Sequence, residues 1–143
     1  MDIEWAEVRE RFDASPYALH LGMRLVELTA GYARVELKLK NEFRNWDGRI
    51  QGGVIVSLLD QAFGAALNTL DRIYVAVQLN VNFLAPPEGD TLYAESTVLH
   101  RGKSLGVSEM VVTDSSGKLI ARGLGTSVAI GDRGATSNLS QES

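Results

Sequence analysis

The sequence predicts an α+β fold, in which an antiparallel sheet wraps one long buried helix. A long apolar segment near the middle of the chain predicts the helix, and segments that alternate apolar with polar residues predict strands before and after it. The length of 143 residues fits one domain with a substantial core. We expect residues 1–130 to form that domain and residues 131–143, which are rich in Ser, Asn, Gly and Gln, to form a disordered tail.

The outer elements follow in chain order. A short N-terminal helix is predicted with Trp5, Val8 and Phe12 on one face, and Ser15-Pro16 ends it. Strands are predicted at residues 35–40, 75–83, 91–100, 105–113 and 118–130, with a hairpin loop at residues 114–117. In residues 75–83 the alternation places Val75, Val77, Leu79, Val81 and Phe83 on one side and Ala76, Gln78, Asn80 and Asn82 on the other.

The central helix carries the first candidate functional residue. Apolar residues surround almost the whole of residues 54–70, as is typical of a buried helix. Its few polar residues, Ser57, Asp60, Gln61 and Asn68, share one face. A carboxylate on such a helix is costly unless it is paired, hydrogen-bonded or lining a cleft. Asp60 is therefore either a structural acid bonded to a backbone amide or a catalytic carboxylate.

The start of this helix is the second candidate. Gly52 and Gly53 leave the first backbone amides without side-chain cover, and such amides suit a polarised carbonyl or an oxyanion. The same glycines would also permit close helix packing. Asp60 lies eight residues after Gly52, which is about 12 Å along a helix. A site that uses both residues must therefore combine two subunits, and a two-fold dimer would carry two such sites.

A set of motifs resembles a known family. Asn45 is followed by Gln51-Gly52-Gly53 and by Asp60 within Ser-Leu-Leu-Asp-Gln-Ala, and this pattern is similar to the hotdog-fold acyl-CoA thioesterases of the phenylacetate-degradation type. The segments Leu21-Gly-Met, Asn80-Val-Asn-Phe-Leu-Ala-Pro, Arg101-Gly-Lys-Ser and Asp114-Ser-Ser-Gly-Lys-Leu-Ile-Ala-Arg-Gly follow in the family's order. The likeness covers roughly residues 16–130. It implies a hotdog fold, hydrolysis of acyl-CoA, and a homodimer with shared sites that assembles as a dimer of dimers.

The resemblance also implies roles for residues. Gly52 would polarise the thioester carbonyl, Asn45 would fix the carbonyl or the attacking water, and Asp60 would act as general base or nucleophile. Gln51 stands where the family usually has His; its amide can orient a group but cannot titrate. Ala76 stands near a Ser or Thr of some relatives that helps hold the water. The expected substrate-binding residues are Gly53, Ala76, Asn82, Arg101, Gly102 and Lys103. Arg101 and Lys103 would either bind a phosphate group of the substrate or serve only as solvated charges on a loop.

Composition narrows the alternatives. The formal charge of -4 and the pI near 5.2 give no electrostatic reason to expect nucleic acid. Cysteine is absent, no metal-ligand pattern is present, and no metal or cofactor is expected. The charged N-terminal segment is unlike a signal peptide and no apolar run reaches membrane-spanning length, so a cytoplasmic protein is expected. Two other functions stay open: a non-catalytic acyl-CoA binding or scaffold module, and a hydratase or dehydratase. The latter is disfavoured because His20 and His100 are not beside the Gly-Gly turn.

Overall fold

Three helices and six strands make up residues 5–133, the part of the chain that the computed structural model describes. In chain order they are α1 (Ala6–Asp13), α2 (Pro16–Leu21), β1 (Met23–Thr29), β2 (Tyr32–Lys38), α3 (Gly52–Leu67), β3 (Arg72–Phe83), β4 (Thr91–Arg101), β5 (Leu105–Asp114) and β6 (Leu119–Asp132). A 3-10 turn at Asn41–Phe43 leads into the loop before α3.

The six strands form one antiparallel sheet in the order β1-β2-β4-β5-β6-β3. The chain leaves β2 through α3 and returns as β3 at the far edge of the sheet, next to β6. Helix α3 packs against all six strands. This arrangement confirms the predicted α+β fold, with the sheet wrapped around one central helix.

The core lies between α3 and the sheet. Leu58, Leu59 and Phe63 have no exposed surface, and full burial of such side chains contributes about 1.5–3 kcal/mol each. The ring of Phe63 lies directly on the backbone of β6, because a Cβ on Gly125 would come within 2.6 Å of its Cζ atom. A glycine at this position lets the helix approach the sheet closely.

The structure corrects the predicted alternation in β3. Ala76 lies opposite Ser127 and Gln78 lies opposite Thr126, so Val77 is an extra residue in a β-bulge. Beyond the bulge the faces exchange: Ala76 shares the helix-facing side with Leu79, Val81 and Phe83, whereas Val75 shares the outer side with Gln78, Asn80 and Asn82. The prediction that Val75, Val77 and Leu79 share a face is therefore wrong.

Two elements were not predicted, and several boundaries shift by a few residues, among them the end of the last strand. Ser15-Pro16 ends α1 as expected, but the same pair begins α2, with Pro16 in the first turn. Strand β1 was missed because a bulge between Leu25 and Glu27 interrupts its alternation. Strand β6 continues to Asp132, past the expected domain end at residue 130. The rest of the predicted tail, residues 134–143, lies outside the described residues. None of the helices described between residues 5 and 133 is long and apolar enough to cross a membrane.

Candidate active site

Helix α3 begins at Gly52, with Gln51 as its N-cap residue. No side chain caps this end, so the amides of Gly52 and Gly53 have no acceptor from a cap or from within the helix. The ring of Phe83 lies over Gly52, because a Cβ there would be 3.2 Å from Phe83 Cζ. A Cβ on Gly53 would meet only Gln51 Cγ, at 3.9 Å. Only the first glycine is therefore in tight contact with a neighbouring side chain.

A cleft of about 550 Å³ opens beside this helix start. Its walls are mostly apolar, and Gly52 and Arg49 are also in the lining; the apolar residues are Ile50, Ile55, Phe83, Leu84, Ala85, Pro86 and Pro87. The cleft brings free amides and an apolar surface together. It can accept an acyl or pantetheine chain and donate hydrogen bonds to a carbonyl at the same point.

Asn45 holds the loop that precedes the helix. Its Oδ1 atom accepts hydrogen bonds from the backbone N–H groups of Asp47 at 2.9 Å and Arg49 at 3.1 Å. These bonds form the Asx-type turn that a local interpretation of Asn45 predicts. Because the oxygen already bonds the loop, the Nδ2 donor is the part of the side chain that suits a role toward substrate. A donor fits a carbonyl oxygen better than it fits the activation of water.

Asp60 lies on the exposed face of α3, two turns beyond Gly52. Desolvation by the surrounding protein raises the pKa of its carboxyl above the ordinary value, and no hydrogen bond or neighbouring charge offsets this effect. If Asp60 were a structural acid, its carboxylate would bond a backbone amide. Because no such hydrogen bond is found among the described residues, they favour a catalytic role for Asp60. A raised pKa also makes the carboxylate a stronger base.

A cavity of about 340 Å³ adjoins Asp60 and lies between α1 and α3. It contains none of the residues that line the Gly52 cleft. Within one chain the two halves of the predicted site therefore open into different cavities. This separation agrees with their positions on one straight helix, roughly 12 Å apart along its axis.

Ala76 and Asn82 lie on opposite faces of β3. Ala76 is on the helix-facing side of the sheet edge, opposite Ser127. Asn82 pairs with Arg122 on the outer face, in a shallow depression that Asn80 and Glu109 also line. The structure thus separates Asn82 from the Gly52 cleft, and its assignment to substrate binding stays a prediction.

Arg101, Gly102 and Lys103 line a third cavity, of about 230 Å³, at the turn between β4 and β5. The turn is fixed by its backbone: Tyr74 Oη donates to the Gly102 carbonyl at 2.6 Å, and Arg72 donates to the Lys103 carbonyl at 2.7 Å. Three cations, Arg72, Arg101 and Lys103, line this cavity with one acid, Asp71. The positive charge of this cavity suits a phosphate group. It therefore agrees with phosphate binding by Arg101 and Lys103, one of the two roles predicted for them.

Several residues near the site were not singled out from the sequence. Phe83 lies over Gly52, and Arg11 of α1 lines the Asp60 cavity. Tyr17 Oη lies 2.6 Å from Ser57 Oγ and so ties α2 to the polar face of α3. The apolar face of α1 signalled that this helix packs somewhere, but its contact with α3 depends on tertiary packing. Among the residues that the structure describes, no three His, Asp or Glu side chains cluster as a metal site.

A sheet wrapped around one helix, with free amides at the helix start and a carboxylate on its exposed face, is the arrangement of a hotdog-fold thioesterase. The model of the Thioesterase superfamily matches residues 47–121. Acyl-coenzyme A thioesterase PaaI of Escherichia coli K12 is 30% identical over 128 residues, which are 89% of this chain and 91% of that protein. The structure of the E. coli PaaI protein from the phenylacetic acid degradation operon superposes with a TM-score of 0.84 and covers 90% of this chain and 94% of that one.

Two further relatives support the same assignment. Human acyl-coenzyme A thioesterase 13 is 31% identical over 103 residues, covering 69% of this chain and 74% of that protein. A Streptococcus mutans UA159 protein bound to acetyl CoA is 26% identical, with a TM-score of 0.73, and the match covers 78% of this chain and 90% of that one. The chain therefore belongs to the Thioesterase superfamily and is a thioester hydrolase. The resemblance stated from the sequence is confirmed.

Proposed function

We infer that this thioester hydrolase acts on acyl-CoA thioesters, and we propose that it does so at two equivalent sites shared by two copies of the chain. Relatives named acyl-coenzyme A thioesterases and a related structure bound to acetyl CoA support the substrate class. One observation carries the shared site: Gly52 and Asp60 lie on the same helix yet open into separate cavities. A second copy can bring the partner's Asp60 to the Gly52 cleft of the first.

The edge strand β3 supports this pairing. It is 12 residues long, ends the sheet, and its outer edge has no partner strand among the described residues. Val77 and Phe83 on this strand are 58% and 55% exposed. A long apolar edge is prone to pair with another strand. Antiparallel pairing of two β3 strands about a two-fold axis would satisfy its backbone groups and bury these side chains.

The proposed reaction begins when the acyl-CoA carbonyl oxygen accepts hydrogen bonds from the Gly52 amide and from Asn45 Nδ2. Water or the carboxylate of the partner's Asp60 then attacks the carbonyl carbon. The charge that develops on the oxygen is met by fixed donors at the positive end of α3, which need no reorganisation. Gln51, the N-cap residue of α3, would orient the same carbonyl through its amide.

Two courses lead to products from there. With Asp60 as general base, it removes a proton from water, the tetrahedral adduct collapses, and the departing CoA sulfur takes up that proton. With Asp60 as nucleophile, its oxygen displaces CoA to give a mixed anhydride, which water then hydrolyses. Both yield free CoA and a carboxylic acid. The geometry of the described residues is compatible with either.

A panel of acyl-CoAs incubated with the purified protein and a thiol reagent tests the activity. Release of free CoA is the expected result. A mass gain equal to one water without CoA release would instead indicate a hydratase, and ligand binding without either product would indicate a non-catalytic module. Either of these two outcomes would contradict the proposed reaction.

Subunit exchange tests the shared site. Asp60→Asn removes the acid, and Asn45→Asp removes the Nδ2 donor while keeping the oxygen that holds the loop. Each variant should be nearly inactive alone, whereas random mixing should restore about a quarter of wild-type activity, because half of the dimers would then hold one intact site of two. As a control, the double variant mixed with wild type should lower activity, since its heterodimers would contain no intact site. Verified heterodimers without restored activity would contradict the arrangement.

The finer assembly and location are also proposals. Val75, Leu105 and Leu124 lie on the outer face of the sheet and are 40%, 44% and 53% exposed. This apolar surface would support back-to-back association of two dimers, and sedimentation equilibrium should then give a homotetramer. A cytoplasmic location is proposed because CoA thioesters are intracellular metabolites, and fractionation of cells that express the protein would check it.

A further inference from the structure

The cavity beside Asp60 has a lining that the proposed reaction does not use. Val8, Phe12 and Ala65 give it an apolar side, and Arg11, Ser15 and Gln61 give it a polar side. The polar groups come from three elements: α1, the junction before α2, and α3. Apolar and polar groups that converge on one space in this way can bind one part of a small molecule.

The position of the cavity limits which part of the substrate can occupy it. Asp60 or its activated water must lie within about 3–3.5 Å of the acyl carbonyl carbon at attack. The substrate atoms next to the carbonyl therefore border the Asp60 carboxylate. CoA, with its nucleotide and long pantetheine arm, is too large for about 340 Å³, whereas the acyl group fits. The pantetheine arm also carries the CoA phosphates well away from any cavity that touches the carbonyl.

Arg11 gives this cavity a positive charge. Among residues 5–133 no carboxylate lies within ion-pair distance of its guanidinium group. Asp60 lines the same cavity, and among the described residues no ion pair joins its carboxylate to the Arg11 guanidinium group. A second guanidinium group, that of Arg133, lies near Arg11. Burial and the charge of Arg11 lower the pKa of Arg133, whereas the charges of Asp71 and Glu7 raise it.

Two neutral donors accompany this cation. The hydroxyl of Ser15 makes no capping hydrogen bond to α2, although Ser15 is the N-cap residue of that helix. The Gln61 amide can also donate from α3. A cation and two neutral donors around one space are the groups that bind a carboxylate.

We propose that this cavity binds the far end of the acyl group and that Arg11, with Ser15 and Gln61, selects acyl groups that end in a carboxylate. The substrate class would then be the mono-CoA thioesters of dicarboxylic acids. This inference rests on the proposed acyl-CoA hydrolysis and adds a specificity-determining residue to it. It also sets a minimum length: a short diacyl chain holds its carboxylate beside Asp60, where two negative charges repel each other.

Matched substrate pairs test the selection. The second-order rate constant kcat/KM is measured for adipyl-CoA against hexanoyl-CoA and for suberyl-CoA against octanoyl-CoA, with malonyl-CoA as the short member. The wild type should favour the carboxylated member of each long pair by about tenfold or more, and malonyl-CoA should be a poor substrate.

Variants of Arg11 assign the preference to its charge. Arg11→Gln should lower kcat/KM only for the carboxylated substrates and bring each ratio close to one, while Arg11→Lys should keep part of the preference. Arg9→Gln is the matched control, because Arg9 lies on the same helix but does not line the cavity. It should leave both ratios at their wild-type values.

The outcomes separate the two proposals. If the wild type hydrolyses neutral acyl-CoAs equally well, or if Arg11→Gln lowers both members of a pair alike, the selection by Arg11 is overturned while the hydrolase activity stands. If no acyl-CoA in the panel releases CoA, the proposed activity is overturned, and the acyl subsite with it. A loss of preference in Arg9→Gln equal to that in Arg11→Gln would also overturn the assignment, since the effect would then belong to α1 as a whole.

Discussion

Replacing Gly52 by alanine should greatly reduce turnover while leaving the fold intact. An ideal Cβ at this position lies 3.2 Å from Phe83 Cζ and 3.4 Å from Cε1, so the ring must move by a few tenths of an ångström. The atoms that this Cβ would meet are the far end of a side chain and not backbone, so a small rotation of the Phe83 ring relieves the contact. Alanine is favoured over glycine in helices by at most about 1 kcal/mol, which offsets this contact. The free energy of unfolding should therefore stay within about 1 kcal/mol of wild type.

The effect on catalysis should be much larger. The new methyl group would lie beside the free Gly52 amide in the cleft and displace the thioester carbonyl from it. Misplacement by about 1 Å lowers rates by roughly a hundredfold, and loss of an oxyanion donor has a similar or larger effect. We expect kcat/KM for an acyl-CoA that the wild type hydrolyses to fall by about a hundredfold or more.

Gly53→Ala is the matched control for this change. Its Cβ would make only an ordinary contact with Gln51 Cγ at 3.9 Å, so the variant should be slightly stabilised and lose no more than about tenfold in kcat/KM. The assay combines CoA release with urea unfolding of all three proteins. Near-wild-type turnover in Gly52→Ala, or equal losses in both variants, would refute the role of the Gly52 amide.

Three further predictions concern Asp60, Gln51 and Asp114. Asp60→Asn should lower turnover by about a hundredfold or more, and the acid limb of the wild-type pH–rate profile should lie above the usual carboxyl range. Desolvation of the charged carboxylate weakens the fold as pH rises through its raised pKa. The variant should therefore be at least as stable as wild type at neutral pH in urea unfolding. Gln51→Ala should lower turnover less than Asp60→Asn does. Gln51→His should keep activity and add an inflection at pH ~6.5 to the pH–rate profile. Complete inactivity of Gln51→Ala would make Gln51 a direct participant in the reaction. The Asp114 carboxylate accepts hydrogen bonds from Ser116 Oγ at 2.6 Å and from Glu88 N at 2.7 Å, which hold its pKa far below the ordinary value. The stabilisation that these bonds give the fold is full above the ordinary carboxyl pKa and is lost as pH falls through the depressed pKa. Asp114→Asn should lower the free energy of unfolding by about 3 kcal/mol at neutral pH, and a change below 1 kcal/mol in urea unfolding would contradict the role of this network.

The Asp114 network also bears on the active-site cleft. It holds the backbone of Glu88 and Gly89, and the preceding Pro86 and Pro87 form one wall of the cleft beside Gly52. The sequence predicts a hairpin loop at residues 114–117. The contact between its aspartate and the backbone of Glu88 and Gly89 joins segments about 25 residues apart, which no local pattern contains.

The sequence by itself determined the central features of this protein. The apolar run predicted the buried helix, and the paired glycines located its start at Gly52. The spacing to Asp60 predicted that a site using both residues is shared by two subunits, which stays a prediction. These conclusions follow from local geometry, because helix rise and side-chain direction depend only on position along the chain. The same local rules predicted β2 and the four strands after α3.

Tertiary structure decided the rest. The bulge at Val77 reversed the faces of β3 and moved Val75 to the outer side, because register depends on the hydrogen bonds to β6 and not on the strand's own alternation. The Asn45 side-chain oxygen bonds its own loop. Arg11 and Asp60, which are 49 positions apart in the sequence, line one cavity only because α1 packs near α3. Cavities and charge environments arise where distant segments meet, so the sequence could indicate candidate site residues but not the cavities that surround them.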